Sequence, residues 1–216
     1  MVTTAVIFDA FGTIVRIGQR TSPYAKLFRE ARRQGRLIGP DATRIAMTAN
    51  IGLDELASRL EIKLASSLRD ELHRGLDLEL SSIGLYPDAL EGIARLRDAG
   101  MKVGICSNLT KPYGPVVREL FPNLDGYAFS YEIGVMKPEK EIYTSLCKQM
   151  NVEPGHGFHD AGDRILMIGD SQRCDRDGPR AVGIMGFHLD RMGHGKIRDL
   201  VQFARLVIDQ GVSRSV

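Results

Sequence analysis

Six residues in four short segments have the types needed for displacement at phosphorus or carbon. They are Asp9 in VIFDAFGTIV, Ser107 and Asn108 in GICSNL, Lys137 in GVMKPE, and Asp170 and Asp175 in MIGDSQRCD. Asp9 is a carboxylate nucleophile of the kind that forms aspartyl-phosphate intermediates. Asp170 and Asp175 offer hard oxygen to a cation such as Mg²⁺, leaving other positions for water and a substrate phosphate. Ser107 presents a hydroxyl, and Lys137 a positive charge, to a phosphoryl oxygen.

The surrounding pattern says how such residues meet. AVIFDA (5–10), KVGICSN (102–108) and ILMIGDS (165–171) are apolar runs that end in small polar or acidic groups, as buried parallel strands do. GIMGFHL (183–189) is a fourth candidate strand and GYAFSYE (126–132) a weaker fifth. Helices fit PDALEGIARLRDAG (87–100), with Pro87 at its start and Gly100 at its end, PYGPVVRELF (112–121) and KEIYTSLCKQMN (140–151). Strands alternating with helices predict a doubly wound α/β sheet, whose ligands sit beyond the carboxyl ends of the strands. All six residues fall at those ends or in the loops that follow.

The alternation breaks between the first strand and Pro87. Residues 22–80 carry only helical signals, opening with Ser22 as an N-cap and Pro23 at the first helical position. The division expected is a core of residues 1–16 and 85–216 with an all-α insert over 17–84. Two crossings beside the site suit an insert that moves, hinging near Arg16 to Arg20 and near Leu85 to Pro87.

Composition excludes several classes. With 216 residues, 43% hydrophobic and 26% charged, the chain has the balance of a soluble globular protein. A net charge of +2 does not call for nucleic acid. No apolar run nears the roughly 20 residues of a membrane helix, and MVTTAVIFD lacks the basic start of a signal peptide. Cys106, Cys147 and Cys174 show no CxxC spacing and fit a reducing cytoplasm. Oligomeric state leaves no trace in the sequence.

In this order and spacing, FDAFGT, ICSN, GVMKPE and MIGDSQRCDRDGPRAVG resemble the four-motif signature of the haloacid dehalogenase (HAD) superfamily. The resemblance spans the whole sheet portion, and the helical insert sits where that family places a C1-type cap. It implies a Rossmann-like core, a mobile cap, Asp9 as nucleophile, Ser107 and Lys137 as phosphate ligands, and Asp170 with Asp175 as the acidic metal-site motif.

Phe11 departs from the pattern. Most phosphatases of the superfamily carry a second Asp there, which serves as general acid and base. Phenylalanine cannot transfer a proton, and such help is worth roughly 10²–10⁴-fold. The dehalogenase branch commonly has an aromatic at this place, but works without metal and usually has Ser where this chain has Asp170. An Asp beside Asp9 is costly without a cation, so the carboxylate carries more weight. The first expectation is thus a Mg²⁺-dependent phosphatase acting on a small phosphorylated metabolite. Its metal would be held by Asp9, the backbone carbonyl of Phe11 and Asp170, with Asp175 either a ligand or the group that orients a metal-bound water or Lys137. A 2-haloacid dehalogenase comes second, and a non-catalytic binding or regulatory protein third. The phosphonate-cleaving branch needs a cap lysine; Lys26 and Lys63, the insert's two lysines, lack a matching context.

Other residues have plainer readings. His156 and His159 precede a strand and lie at the wrong end of the sheet. GHGK (193–196) lacks Walker spacing. Cys174 reads as a small buried residue and Asp177 as part of the next turn. Arg29, Arg32, Arg33 and Arg36 form a solvated basic face or, more sharply, attract an anionic substrate.

Overall fold

The computed structural model describes residues 3–155, 164–193 and 195–212. His156, His159 and part of GHGK lie outside them.

Five parallel strands form the sheet, in the order β5-β4-β1-β6-β7. They are β1 (Thr3–Phe8), β4 (Lys102–Ser107), β5 (Gly126–Phe129), β6 (Arg164–Gly169) and β7 (Met185–His188). Period-two alternation sends Val6, Phe8, Val103, Ile105, Leu166 and Ile168 into one apolar cluster. Ala5, Ile7, Cys106, Ile165 and Met167 go to the other face. Both faces are covered, so the central strands read as unbroken apolar runs. Helices α5 (Pro87–Asp98) and α10 (Leu200–Val212) cover the first face, and α8 (Lys140–Gln149) the second. β1 is central, paired with β4 on one side and β6 on the other. Strand order therefore reverses at β1, the point in such a sheet where ligands bind beyond the carboxyl ends of the strands. Pro87 opens α5 as expected, and Gly100 follows it at φ +80°.

The chain leaves the sheet through β2 (Val15–Ile17) and returns through β3 (Ile83–Leu85), which pair antiparallel. Between them lie α1 (Pro23–Arg33), α2 (Pro40–Thr48), α3 (Leu53–Arg59) and α4 (Ser66–Ser81). Leu27, Ala31, Ala46, Leu53, Leu56, Ala57, Ile62 and Leu72 give these helices a core of their own.

Three details differ from the sequence reading. The β2–β3 ribbon was not expected, because three-residue strands are too short to display a period. GYAFSYE splits into β5 and a short helix, α7 (Ser130–Ile133), because the Ser130 hydroxyl turns inward to accept from Leu109 N–H and donate to Met47 O. Ser22 stands at the start of α1 but is left-handed, and its side chain caps nothing. The buried carboxylate of Glu79 on α4 accepts the Thr21 and Ser22 amides instead, at 2.7 and 2.6 Å. Among the described residues no helix is long and apolar enough to cross a membrane.

Candidate active site at the strand ends

All six residues lie at the carboxyl ends of strands or in the connections that follow them. Asp9 directly follows β1, and its amide still bonds to Ile168 O on the neighbouring β6. Ser107 ends β4, and its hydroxyl donates to Asp9 Oδ1 at 3.0 Å. Lys137 precedes α8, and its ammonium donates to the same oxygen at 2.7 Å and to Asp175 Oδ1 at 2.6 Å. Asp9, Ser107, Lys137 and Asp175 are all buried. A buried charge is tolerated only when paired and hydrogen-bonded, and each of these is.

Asn108 does not point at Asp9. Its amide exchanges two bonds with the Lys137 backbone, donating to Lys137 O at 3.1 Å and accepting Lys137 N–H at 2.8 Å. It thus fixes the loop that presents the lysine. Asp175 lies in a turn of π-helix (Gln172–Asp177). Its Oδ2 accepts Ser171 N–H at 2.9 Å, so both of its oxygens are engaged. Of the roles left open for Asp175, orienting Lys137 is the one its contacts display.

Asp170 is solvent-exposed, and its carboxylate lies against Gly12 so closely that a β-carbon there would collide with it. Gly12 also has φ +82°, so FDAFGT needs glycine on two counts. Gly169 allows a second close approach, since a β-carbon there would lie 2.7 Å from Asp9 Cβ and strike Asp175. Carboxylate oxygens of Asp9, Asp170 and Asp175 come within 4.8 Å of one another.

Three carboxylates face one ammonium. Burial alone would lower the Lys137 pKa, but Asp9 and then Asp175 reverse this and hold it well above its ordinary value. Burial lifts Asp175 to about 6, because desolvation outweighs the attraction of Lys137 and Asp9 adds repulsion. Asp170 is raised too, first by the loss of water on the side that faces the cluster, although the residue is open to solvent on the other, and second by Asp9. This excess of negative charge on hard oxygen donors suits a divalent cation.

Phe11 turns its ring edge-on to Tyr113, with centroids 5.7 Å apart and planes at 88°. The Tyr113 hydroxyl donates to Glu79 Oε2 at 2.5 Å. Phe11 is therefore part of an aromatic wall under the helical insert.

Other expectations find their places. Cys174 is half-buried, and its carbonyl accepts the Tyr143 hydroxyl at 2.6 Å, which ties the π-helix to α8. Asp177 is exposed and paired with Arg176. Arg33 pairs with Glu30, and Arg36 with Glu61. Lys26 pairs with Glu71 on the surface. Thr13 was missed as a site residue: its hydroxyl donates to Asp9 Oδ2 at 3.3 Å. Its position inside the quoted FDAFGT was the available signal.

Known proteins resemble this chain in sequence and in architecture. A phosphatase of Mycobacterium tuberculosis (strain CDC 1551 / Oshkosh) is 28% identical over 160 residues, covering 70% of this chain and 68% of that protein. The structure of a HAD phosphatase from Thermococcus onnurineus superposes with a TM-score of 0.63 at 23% identity, covering 95% of this chain and 98% of the other. A 2-haloacid dehalogenase from Pseudomonas syringae pv. Tomato DC3000 gives 0.65 at 13% identity, covering 96% and 99%. Phosphatase and dehalogenase thus share this fold about equally, and the fold does not choose between them. The family profile of haloacid dehalogenase-like hydrolases matches residues 3–183, the span that holds Asp9, Ser107, Lys137, Asp170 and Asp175, and the chain is a member of that family.

Proposed function

We propose that this hydrolase is a Mg²⁺-dependent phosphatase acting on a small phosphorylated metabolite, with Asp9 as the nucleophile. One observation carries the reading: Asp170 brings a third carboxylate within 4.8 Å of Asp9 and Asp175, where Lys137 is the cation already paired. A dehalogenase that needs no metal has no use for that added negative charge. The relative from M. tuberculosis, named a phosphatase, points the same way.

In this reading Asp9, the Phe11 carbonyl and Asp170 would hold the cation. Bound there, Mg²⁺ supplies charge that neutralises phosphoryl oxygens. The Asp9 carboxylate attacks phosphorus, the ester bond breaks, and the alcohol oxygen leaves with the electron pair. Ser107 and Lys137, which now donate to Asp9 Oδ1, turn their hydrogens to the phosphoryl oxygens as the group arrives. Asn108 and Asp175 keep the lysine in reach throughout. Water then attacks the acyl phosphate, restoring Asp9 and releasing phosphate. With Phe11 in place of an acid, the leaving oxygen departs without a proton from that position, so good leaving groups react faster than alkyl ones. Residues 17–84 serve as the cap, which moves on the β2–β3 ribbon and closes out water.

The aromatic wall of Phe11 and Tyr113 favours a second reading, a 2-haloacid dehalogenase in which Asp9 displaces halide. The test is a panel of phosphorylated metabolites and a generic aryl phosphate, with Mg²⁺ and with chelator, beside halide release from a 2-chloro acid. Phosphate release that needs Mg²⁺ and vanishes in Asp9→Asn is the expected result. Halide release by a protein that binds no Mg²⁺ would reverse the ranking. Silence in every assay would favour a binding role.

A further inference from the structure

The turn that follows Asp9 closes on its own backbone, with Gly12 N–H donating to Val15 O and Ile14 N–H to Ala10 O, and is also gripped from outside by a residue that lies in none of the four sequence segments. Arg191 lies in the loop after β7 and reaches across that turn. Its Nη2 donates to Thr13 O, and its Nε to Gly12 O at 3.3 Å. Its Nη1 donates to both oxygens of Asp88, at 3.0 and 3.1 Å. The guanidinium carbon also lies 3.8 Å from the centre of the Tyr86 ring.

These partners come from different parts of the fold. Tyr86 directly follows β3, on the return crossing from the helical insert, and its amide donates to Ile14 O at 3.0 Å. Asp88 lies in the first turn of α5 and also accepts Leu200 N–H at 2.7 Å. The Arg191 loop is itself tied to the sheet, because Leu189 N–H donates to Gly169 O at 2.8 Å, next to Asp170.

We propose that Arg191 is a positioning residue for the reaction. It sets the Phe11–Thr13 turn and ties that turn to the insert's return crossing. The part that concerns catalysis rests on the reading of Asp9 given above. Gly12 has no side chain to fix its own backbone, and its φ of +82° is one of several conformations that glycine can adopt at little steric cost. The planar guanidinium carries five donors in a fixed fork, so it can hold two successive carbonyls at once. With those two peptide planes held, the Thr13 hydroxyl stays within reach of Asp9 Oδ2. The Phe11 carbonyl is one peptide earlier and shares in that restraint. Asp88 balances the arginine's charge, so Arg191 orients the turn and does not compete for anions. Because Tyr86 stacks on the same guanidinium, a shift of the return crossing and a shift of the nucleophile turn are coupled.

Arg191→Lys tests this, since it keeps the charge opposite Asp88 but cannot fork across two carbonyls. Hydrogen exchange on the metal-free protein should quicken at amides in residues 10–16 and 86–88 together, with α8 unchanged. On an aryl phosphate, kcat should fall about tenfold with KM within about twofold, the loss of one charge-assisted contact. Calorimetric titration with Mg²⁺ alone should show affinity weakened by a similar factor. Tyr86→Leu keeps the carbonyl bonds and loses the stack, so it should loosen 86–88 and leave 10–16 at the parental rate. Parental exchange in both segments of Arg191→Lys would overturn the proposal. So would loosening spread evenly over the whole sheet, which marks a general loss of stability. If the parent neither binds Mg²⁺ nor releases phosphate, the phosphatase reading fails, while the exchange rates still decide what Arg191 holds.

Discussion

The strand-end cluster and the outer contact between insert and core are both made of charge, yet they are built in opposite ways. At the strand ends, Lys137 is 3% exposed, Asp9 6% and Asp175 0%, and each has at least two partners drawn from separate elements. At the outer contact, Arg44 of α2 meets Glu139 beside the Lys137 loop in a forked pair open to water. The neighbouring contacts are a Lys111 bond to Asn50 O at 3.3 Å and a Ser130 bond to Met47 O at 2.6 Å. Breaking a buried pair strands a charge in a medium that cannot solvate it, whereas water replaces an exposed pair readily. The contrast implies that the strand-end groups are fixed by one another, while the Arg44–Glu139 pair adds little to what holds the insert; if the insert is the moving cap proposed above, that pair is not what keeps it closed.

The sharpest way to break that contrast is Lys137→Met. It leaves Asp9 and Asp175 facing each other in the interior, so unfolding in urea should show a loss of about 3–5 kcal/mol. Turnover should fall below detection. Adding Asp175→Asn to the same chain removes one stranded carboxylate and should recover much of the stability but none of the turnover. Equal stability of the single variant and the parent would mean that the buried pair is not what holds the cluster together.

Phe11→Asp should produce the next largest effect. A carboxyl at this position would restore a proton donor to a site that has none there, worth up to about 10²-fold on alkyl phosphates and little on aryl phosphates. The gain is opposed by the loss of the edge-on contact with Tyr113, so stability must be measured in parallel. A fall in rate on both substrate classes would favour the reading in which the ring lines a dehalogenase pocket.

The acidity of Asp175 gives a smaller effect whose sign is fixed. Its folded value, about 6, lies above the ordinary 3.8 because burial penalises the anion. Protonation of Asp175 therefore contributes stability that is fully present below about pH 3.8 and is lost as pH rises through about 6. Melting curves of the metal-free parent, compared with Asp175→Asn, should show the parent losing ground across that window. Mg²⁺ favours the ionised cluster, so its stabilising effect should be clear near pH 7.5 and weak near pH 5. An Mg²⁺ effect equal at both values would argue against binding at these carboxylates.

Much of the fold and the outline of the site could be read from local patterns. β1, β4 and β6 are covered on both faces, so each appears as a continuous apolar run that ends where a polar residue must emerge. Pro87 and Gly100 bracket α5 through backbone constraints that act within a residue or two. Contacts between distant residues left no such mark. Arg191 and Thr13 are 178 positions apart, and Glu79 meets Ser22 across 57. Ser22 looked like a cap because its type favours one, but a carboxylate from α4 took over its amide and left the hydroxyl unused. Nor did the place of Asn108 beside Ser107 announce that its amide bonds the Lys137 backbone, 29 positions on.

The smallest expected effect lies at the outer contact, and it tests the comparison from its weak side. Arg44→Ala removes the forked pair with Glu139, whose side chains are 46% and 33% exposed. Exposed pairs add little to stability, so the melting temperature should stay within experimental error. Glu139 also accepts the Met136 amide at 3.1 Å, and its own amide donates to Met136 O at 2.9 Å, so the Lys137 loop keeps its shape without the arginine. What should change is the balance between closed and open insert. Hydrogen exchange at residues 44–50 should quicken, and KM should rise by about two- to threefold while kcat holds. Glu139→Gln should behave differently: it weakens the pair with Arg44, and as a neutral acceptor it also loosens the turn before Lys137, so kcat should drop as well. If the two variants gave the same kinetic signature, the outer contact and the Lys137 loop would have to be treated as one unit. The distinction between a preset site and a separable insert would then fail at this edge.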